Sequence, residues 1–231
     1  MSVSRSEIRK KRKFSGRSKF YSTLAFVMIV LGFGLLAHAG YERLVVRRNQ
    51  AQLRDDFTPS AGFARLVTED LGTVAITEWQ PMRMIIPAID VDLIAVGGGD
   101  VFDKALLNLG PTHFNDQYSA VMRELGIKSS LPNTESGNVS FAGHRAGRWN
   151  FFLDIDQLVE GDEIFLDVAG YRFIYHVEWV RIFSKYDWDP IRYTDYPAIT
   201  LQTCDPKHVE NPDYRLMARG KLYEVIRVPA E

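Results

Sequence analysis

Hydrophobic and polar positions change rhythm twice along this 231-residue chain, and the three regimes define its parts. Residues 20–41 are an unbroken uncharged run, residues 42–57 are dense in charge, and from about residue 76 short apolar runs alternate with turn residues. Roughly 20 apolar residues cover the hydrocarbon core of a bilayer, so the first run predicts a membrane-spanning helix. The charged segment has helix-permitting composition and predicts a continuation that ends at Pro59-Ser60-Ala61-Gly62. A second short helix is predicted over 63–71.

The third regime predicts strands at 82–86, 91–96, 138–142, 163–168, 171–183, 198–203 and 215–228. The clearest is the stretch from Tyr171 to Trp179. Tyr171, Phe173, Tyr175, Val177 and Trp179 fall on one face and Arg172, His176 and Glu178 on the other, the pattern of a strand with one face on a core. The class is mainly β. The sequence divides into a basic tail over 1–19, a transmembrane anchor over 20–41, a stalk over 42–75 and a folded domain over 76–231. Composition beyond the anchor suffices for one core of roughly 150 residues, and there is no internal repeat.

Charge fixes an expected orientation. Eight Lys and Arg against Glu7 give residues 1–19 a charge of +7, so a total of −1 leaves −8 on the rest. Basic residues ahead of an apolar run place the N-terminus on the cytoplasmic side and the domain outside. A cleavable signal peptide is the alternative, since Ala37-His38-Ala39 resembles a small-residue cleavage site, but its apolar core would exceed the usual 7 to 15 residues. The acidic remainder argues against nucleic acid as a partner.

Cys204 is the only cysteine, and it ends an apolar run that leads directly into Asp205-Pro206. An unpaired thiol outside the cytoplasm is a candidate nucleophile; the alternative is a buried small hydrophobe. A cysteine nucleophile needs an imidazole to exchange protons with it, and that imidazole can be distant in sequence. His176 falls on the polar face of a strand, His113 and His208 in loops, and His38 at the outer end of the apolar run. His144 stands where a strand breaks at glycines, in Ala142-Gly143-His144-Arg145-Ala146-Gly147, a setting suited to a functional side chain. Attack on an amide also requires a donor for the developing oxyanion, and arginine stays protonated with several donors in a fixed fork. Arg215 and Arg219 both follow the cysteine and share a strand face, so periodicity does not choose between them.

The order of Gly143-His144-Arg145, then Thr200-Leu201-Gln202-Thr203-Cys204, then Arg215-Leu216 before an apolar strand resembles the sortase family. The likeness extends to Ile86-Pro87-Ala88-Ile89-Asp90-Val91, Gly110-Pro111-Thr112-His113, Gly137-Asn138, and 152–162. It implies an eight-stranded β-barrel with short helices on a membrane anchor, with Cys204 as nucleophile, His144 as general acid and base, and Arg215 as the oxyanion and substrate-binding residue. Thr203, Arg219 and Ala142 would contact substrate. The implied reaction is transpeptidation of surface proteins at a C-terminal motif of LPxTG or LAxTG type, through a thioester. The partners would be those surface proteins, an amine acceptor such as a peptidoglycan precursor or a pilin lysine, and membrane lipid. A membrane-anchored cysteine hydrolase or a non-catalytic peptide-binding β domain are the alternatives.

No cofactor is implied, and the calcium dependence of one branch of the family is not carried over, because the acidic residues show no ligand-spaced loop. The absence of a second apolar segment after the arginine, and of an Asp-aromatic-Pro lid motif in the stalk, points away from the pilin-polymerising class and toward classes D and E. Residues 114–130 form an insertion, expected as a surface helix or lid. Leu131-Pro132-Asn133-Thr134 followed by Glu135 mimics the sorting motif by chance.

Overall fold

The computed structural model describes residues 16–57, 73–115, 117, 119–209 and 212–228. The basic tail before residue 16, the expected helix break at 59–62 and the helix expected over 63–71 lie outside the described residues. Helix α1 (Gly16–Asp56) includes the whole apolar run. Its apolar part has a mean hydropathy of 2.1, and among the described residues it is the one helix long and apolar enough to cross a membrane.

Eight strands follow: β1 (Met82–Ile86), β2 (Val91–Ala95), β3 (Thr112–His113), β4 (Gly137–Ala142), β5 (Glu163–Val168), β6 (Tyr171–Ser184), β7 (Pro197–Asp205) and β8 (Tyr214–Arg227). Two short helices, α2 (Lys104–Leu107) and α3 (Ala120–Glu124), interrupt the path from β2 to β4. The sheet order is β2-β1-β5-β6-β8-β7-β4-β3. Every pairing is antiparallel except β4 with β7. The two edges meet where Val96, just past β2, bridges Thr112 of β3. There His113 donates its backbone N–H to the Val96 carbonyl and Val96 donates to that of Pro111, each at 2.8 Å. The sheet is therefore a nearly closed barrel, which hides the edge hydrogen-bonding groups that would otherwise recruit another chain.

Alternation builds the core. Met82, Met84 and Ile86 of β1, Phe173, Tyr175 and Val177 of β6, and Ile199 and Leu201 of β7 point inward with Val139 and Phe141 of β4. Tyr175 is wholly buried, and burial pushes its hydroxyl far above the usual tyrosine range, so it stays neutral. A second apolar cluster forms on the outer face, where Val101, Phe114, Met122 of α3, Ile127 and Ile191 gather around Met217 of β8. The insertion over 114–130 thus carries a short helix whose one buried side chain, Met122, belongs to that cluster.

Two expectations meet a different outcome. His113, read as a loop residue, lies on β3 and is buried, stacked on Trp79 at 5.0 Å. Strand β3 is two residues long, too short for period two to register. The charged end of α1, read as a stalk, belongs from Val46 onward to the same compact unit as the barrel. Val46 packs on the core and Gln50 is buried, four residues apart on one helical face. The mimic of a sorting motif at 131–134 is taken up in structure: Asn133 pairs with Ala75, and Ile76 donates its N–H to the Pro132 carbonyl at 2.9 Å.

Candidate active site

Register brings three distant residues level. Strand β7 runs between β4 on one side and β8 on the other, with Ala142 opposite Gln202 and Arg215 directly opposite Cys204. Because β4 and β7 are parallel, two residues beyond Ala142 are level with two residues beyond Gln202, which sets His144 beside Cys204. Gly143 makes this turn possible. A Cβ there would stand 2.5 Å from the Phe152 ring, and its backbone N–H donates to the Gln202 carbonyl at 3.0 Å. Phe152 in turn donates its N–H to the His144 carbonyl at 3.0 Å, so the histidine's own main chain is fixed from both sides.

His144, Cys204 and Arg215 line one cavity of about 150 Å³, whose floor is Ala142, Gln202 and Thr203. Its wall is apolar, formed by Val101, Phe102, Leu107 and Phe114. Larger open clefts of about 430 and 350 Å³ lie along the end of α1 and hold neither thiol nor imidazole. Of the residues assigned from sequence, Ala142, His144, Thr203, Cys204 and Arg215 converge here. The Thr203 hydroxyl donates to the Gly143 carbonyl at 2.7 Å, tying β7 to the histidine turn.

Arg219 stands apart. It lies opposite Thr200 and donates from Nε to that hydroxyl at 3.3 Å and from Nη2 to the Pro190 carbonyl. Its guanidinium lies 5.1 Å from the Trp179 ring centroid. These contacts fasten the turn at Asp189–Ile191 to the sheet and leave it out of the cavity lining. Arg215 donates from Nη1 to the carbonyls of Pro212 at 2.7 Å and Tyr214 at 2.9 Å. Its Nε and Nη2 have no acceptor among the described residues, so they are the donors left for an incoming oxygen.

Burial pushes the Cys204 thiol above its ordinary range, against the opposing pull of the Arg215 and Arg145 charges. Burial and the nearby Lys104 charge hold His144 below its usual value. Both shifts favour the uncharged forms, so the resting pair at neutral pH is thiol and imidazole. His144 Nε2 lies 3.2 Å from Asn108 Oδ1. An Oδ1 acceptor requires the Nε2–H tautomer, which leaves Nδ1 as the basic nitrogen.

Three neighbours had no assigned role in the sequence. Gln202, two residues before Cys204 and so on the same strand face, is buried, and its Oε1 has no donor among the described residues. Period two was the signal for it. Arg145 is 3 % exposed and donates to Asp205, to Asp156 at 3.0 Å and to the Leu153 carbonyl at 3.2 Å, with the Cys204 carbonyl at 3.4 Å. Its position next to His144 was visible, its partners were not. Asn108 ends α2 and had no sequence signal at all. Among the described residues no group of three His, Cys, Asp or Glu is placed to hold a metal ion.

Comparison with known proteins agrees with this arrangement. The sortase domain family matches residues 84–223, more than half of the chain, from β1 to β8. Sortase SrtE1 of Streptomyces coelicolor is 26% identical over 149 residues, which are 60% of this chain and 39% of that relative. The chain thus spans well under half the length of the curated relative. A Clostridium perfringens sortase D5 transpeptidase superposes with a TM-score of 0.54 at 23% identity, over 78% of this chain and 99% of that one. A Clostridium perfringens sortase C, solved with the C-terminal cell wall sorting motif, superposes with a TM-score of 0.50 at 25% identity, over 62% and 69% of the two chains. A match that runs from β1 into β8 and contains His144, Cys204 and Arg215 settles the lineage: the chain belongs to the sortase family.

Proposed function

We propose that this protein is a membrane-anchored sortase that cleaves a C-terminal sorting motif of LPxTG or LAxTG type between Thr and Gly and transfers the acyl part to an amine. The observation that carries the proposal is the single cavity in which the β4/β7/β8 register collects His144, Cys204 and Arg215. The basic residues ahead of the apolar helix support a cytoplasmic N-terminus and an extracytoplasmic barrel. The solved sortase C with its sorting motif supports a peptide of that class as substrate.

His144 Nδ1 takes the Cys204 proton as the sulfur attacks the threonine carbonyl, forming the C–S bond. The oxyanion that develops accepts hydrogen bonds from Arg215 Nε and Nη2, a contribution of about 3 to 4 kcal/mol for such a donor. The C–N bond to glycine then breaks, and the His144 imidazolium returns its proton to the departing amine. The product is a thioester on Cys204. An acceptor amine, from a cell-wall precursor or a pilin lysine, attacks the thioester while His144 takes up the amine proton and returns it to sulfur. Proton transfer of this kind contributes about 10²- to 10⁴-fold in rate.

The test is incubation of the full chain in detergent micelles with Leu-Pro-x-Thr-Gly and Leu-Ala-x-Thr-Gly peptides, with and without hydroxylamine, read by mass spectrometry. A threonine hydroxamate formed by the intact chain and absent with Cys204→Ala is the expected result. Cleavage to the free acid that hydroxylamine does not divert would favour a hydrolase, and no cleavage of either peptide by the folded, reduced chain would favour a binding domain.

A further inference from the structure

Strand β2 is an edge of the barrel sheet, and beside the Val96–Thr112 bridge it is capped by a side chain from the C-terminal part of α1. Gln50 acts as a substitute peptide group there. Its Oε1 accepts the Ile94 N–H at 2.8 Å, and its Nε2 donates to the carbonyls of Ile94 at 3.3 Å and Leu109 at 2.6 Å. Gln50 and Ile94 are buried, so the Ile94 N–H and carbonyl would be orphaned without it, while the bond to Leu109 is partly buried. Gly110 is the space it needs. A Cβ at Gly110 would stand 2.5 Å from the Ile94 carbonyl and 2.9 Å from Gln50 Nε2.

The carbonyl that Gln50 holds belongs to the residue after Asn108, and Asn108 Oδ1 is the contact of His144 Nε2. Both follow α2, where Asn108 donates its N–H to the Lys104 carbonyl at 3.1 Å and Leu109 donates to that of Leu106 at 3.0 Å. The loop's end is thus pinned on one side by its own helix and on the other by Gln50. Arg54, four residues on, donates to the Asp92 carbonyl at 3.0 Å and pairs with its carboxylate at 3.1 Å, clamping the same edge strand.

We propose that Gln50 is a positioning residue for the active site: it fixes the Leu109 carbonyl and through it sets Asn108, and hence the orientation and tautomer of the His144 imidazole. The segment next to the membrane run is then a working part of the catalytic unit, in addition to any tether it provides. The proposal rests on the assignment of His144 as acid and base, but its first measurement needs no substrate.

The experiment uses the full chain, labelled with ¹⁵N at histidine, in detergent micelles. Imidazole spectra are compared for the unaltered chain, Asn108→Ala, Gln50→Ala and the double variant, with His144→Gln identifying the resonances. Gln50→Glu is included because it keeps the acceptor for Ile94 and removes the donor to Leu109. Gln50→Ala and Gln50→Glu should both move the His144 resonances in the direction of Asn108→Ala, and the double variant should move them no further. Turnover should fall about 5- to 20-fold in kcat in either single variant, with KM within twofold and no multiplication in the double. His144 resonances that stay in place in both Gln50 variants while they move in Asn108→Ala overturn the proposal, and so do losses in kcat that multiply. If the unaltered chain turns over no sorting peptide, the transpeptidase reading fails and the spectra still decide the role of Gln50.

Discussion

At Cys204 two opposing influences act on one sulfur, and their balance sets its chemistry. Desolvation raises the thiol's pKa and the charges of Arg215 and Arg145 lower it, with desolvation the larger. The thiolate therefore appears at higher pH than for an exposed cysteine. Iodoacetamide should alkylate Cys204 slowly at neutral pH, and its rate should climb only above the ordinary thiol range. Arg215→Met removes one of the opposing charges and should move that climb to still higher pH; a climb at lower pH in the variant would contradict the assignment. In turnover, Arg215→Lys should lose far more activity than Arg219→Lys, since the Arg219 guanidinium is committed to Pro190 and Thr200 outside the cavity. Equal losses would mean that geometry does not divide the two. Gln202 gives a sharper contrast. An unmade buried hydrogen bond costs about 1 to 3 kcal/mol, so Gln202→Met should raise the melting temperature of the resting protein. A variant that melts at lower temperature would show that the acceptor serves the fold.

Among the elements, strands with long alternation were legible and those made by partners were not. Seven of the eight strands follow from short apolar runs bounded by turn residues; β6 alternates over Tyr171 to Val177 and buries one face, while β4 and β7 are buried on both. Strand β3 has two residues and exists through its bonds to Val96 and β4, which no local pattern encodes. The same reason explains His113, whose burial depends on Trp79 and Phe141 meeting over it. At the end of α1, four arginines among residues 43–54 dominate the composition, and the buried face at Val46 and Gln50 is only one side of the helix. A chain beginning at residue 73 leaves the Ile94 N–H and the Leu109 carbonyl without Gln50. Each net hydrogen bond is worth about 0.5 to 1.5 kcal/mol, so that chain should unfold at lower denaturant than one beginning at residue 43. Equal midpoints would show that this end of the helix adds nothing to the barrel. Within the histidine turn, Arg145→Met should cost about 3 kcal/mol, the lower end for breaking a buried ion pair, because Asp156 and Asp205 are partly exposed. Urea unfolding measures it.

For the molecule as a whole, topology converts sequence order into a site. His144 and Cys204 are 60 positions apart, yet one parallel pairing makes them neighbours, and one antiparallel pairing puts Arg215 across from the sulfur. The residue types and their order pointed to cysteine chemistry in the sequence itself, since a lone cysteine at a strand end, a histidine at a glycine break and a trailing arginine are each legible locally. Periodicity left two arginines on one face and the resemblance chose Arg215; the structure places Arg219 against the turn at Asp189–Ile191, outside the cavity lining. The supporting groups, Asn108, Arg145 and Gln50, come from three separate segments, so no spacing announces them. The proposed chemistry passes through a thioester at one sulfur. Intact-mass measurement of the full chain mixed with a sorting peptide, without any added amine, tests it most directly. The expected result is an adduct equal to the peptide up to its threonine, carried on Cys204, removed by hydroxylamine and absent in Cys204→Ala. Peptide cleavage that persists undiminished in Cys204→Ala would contradict it.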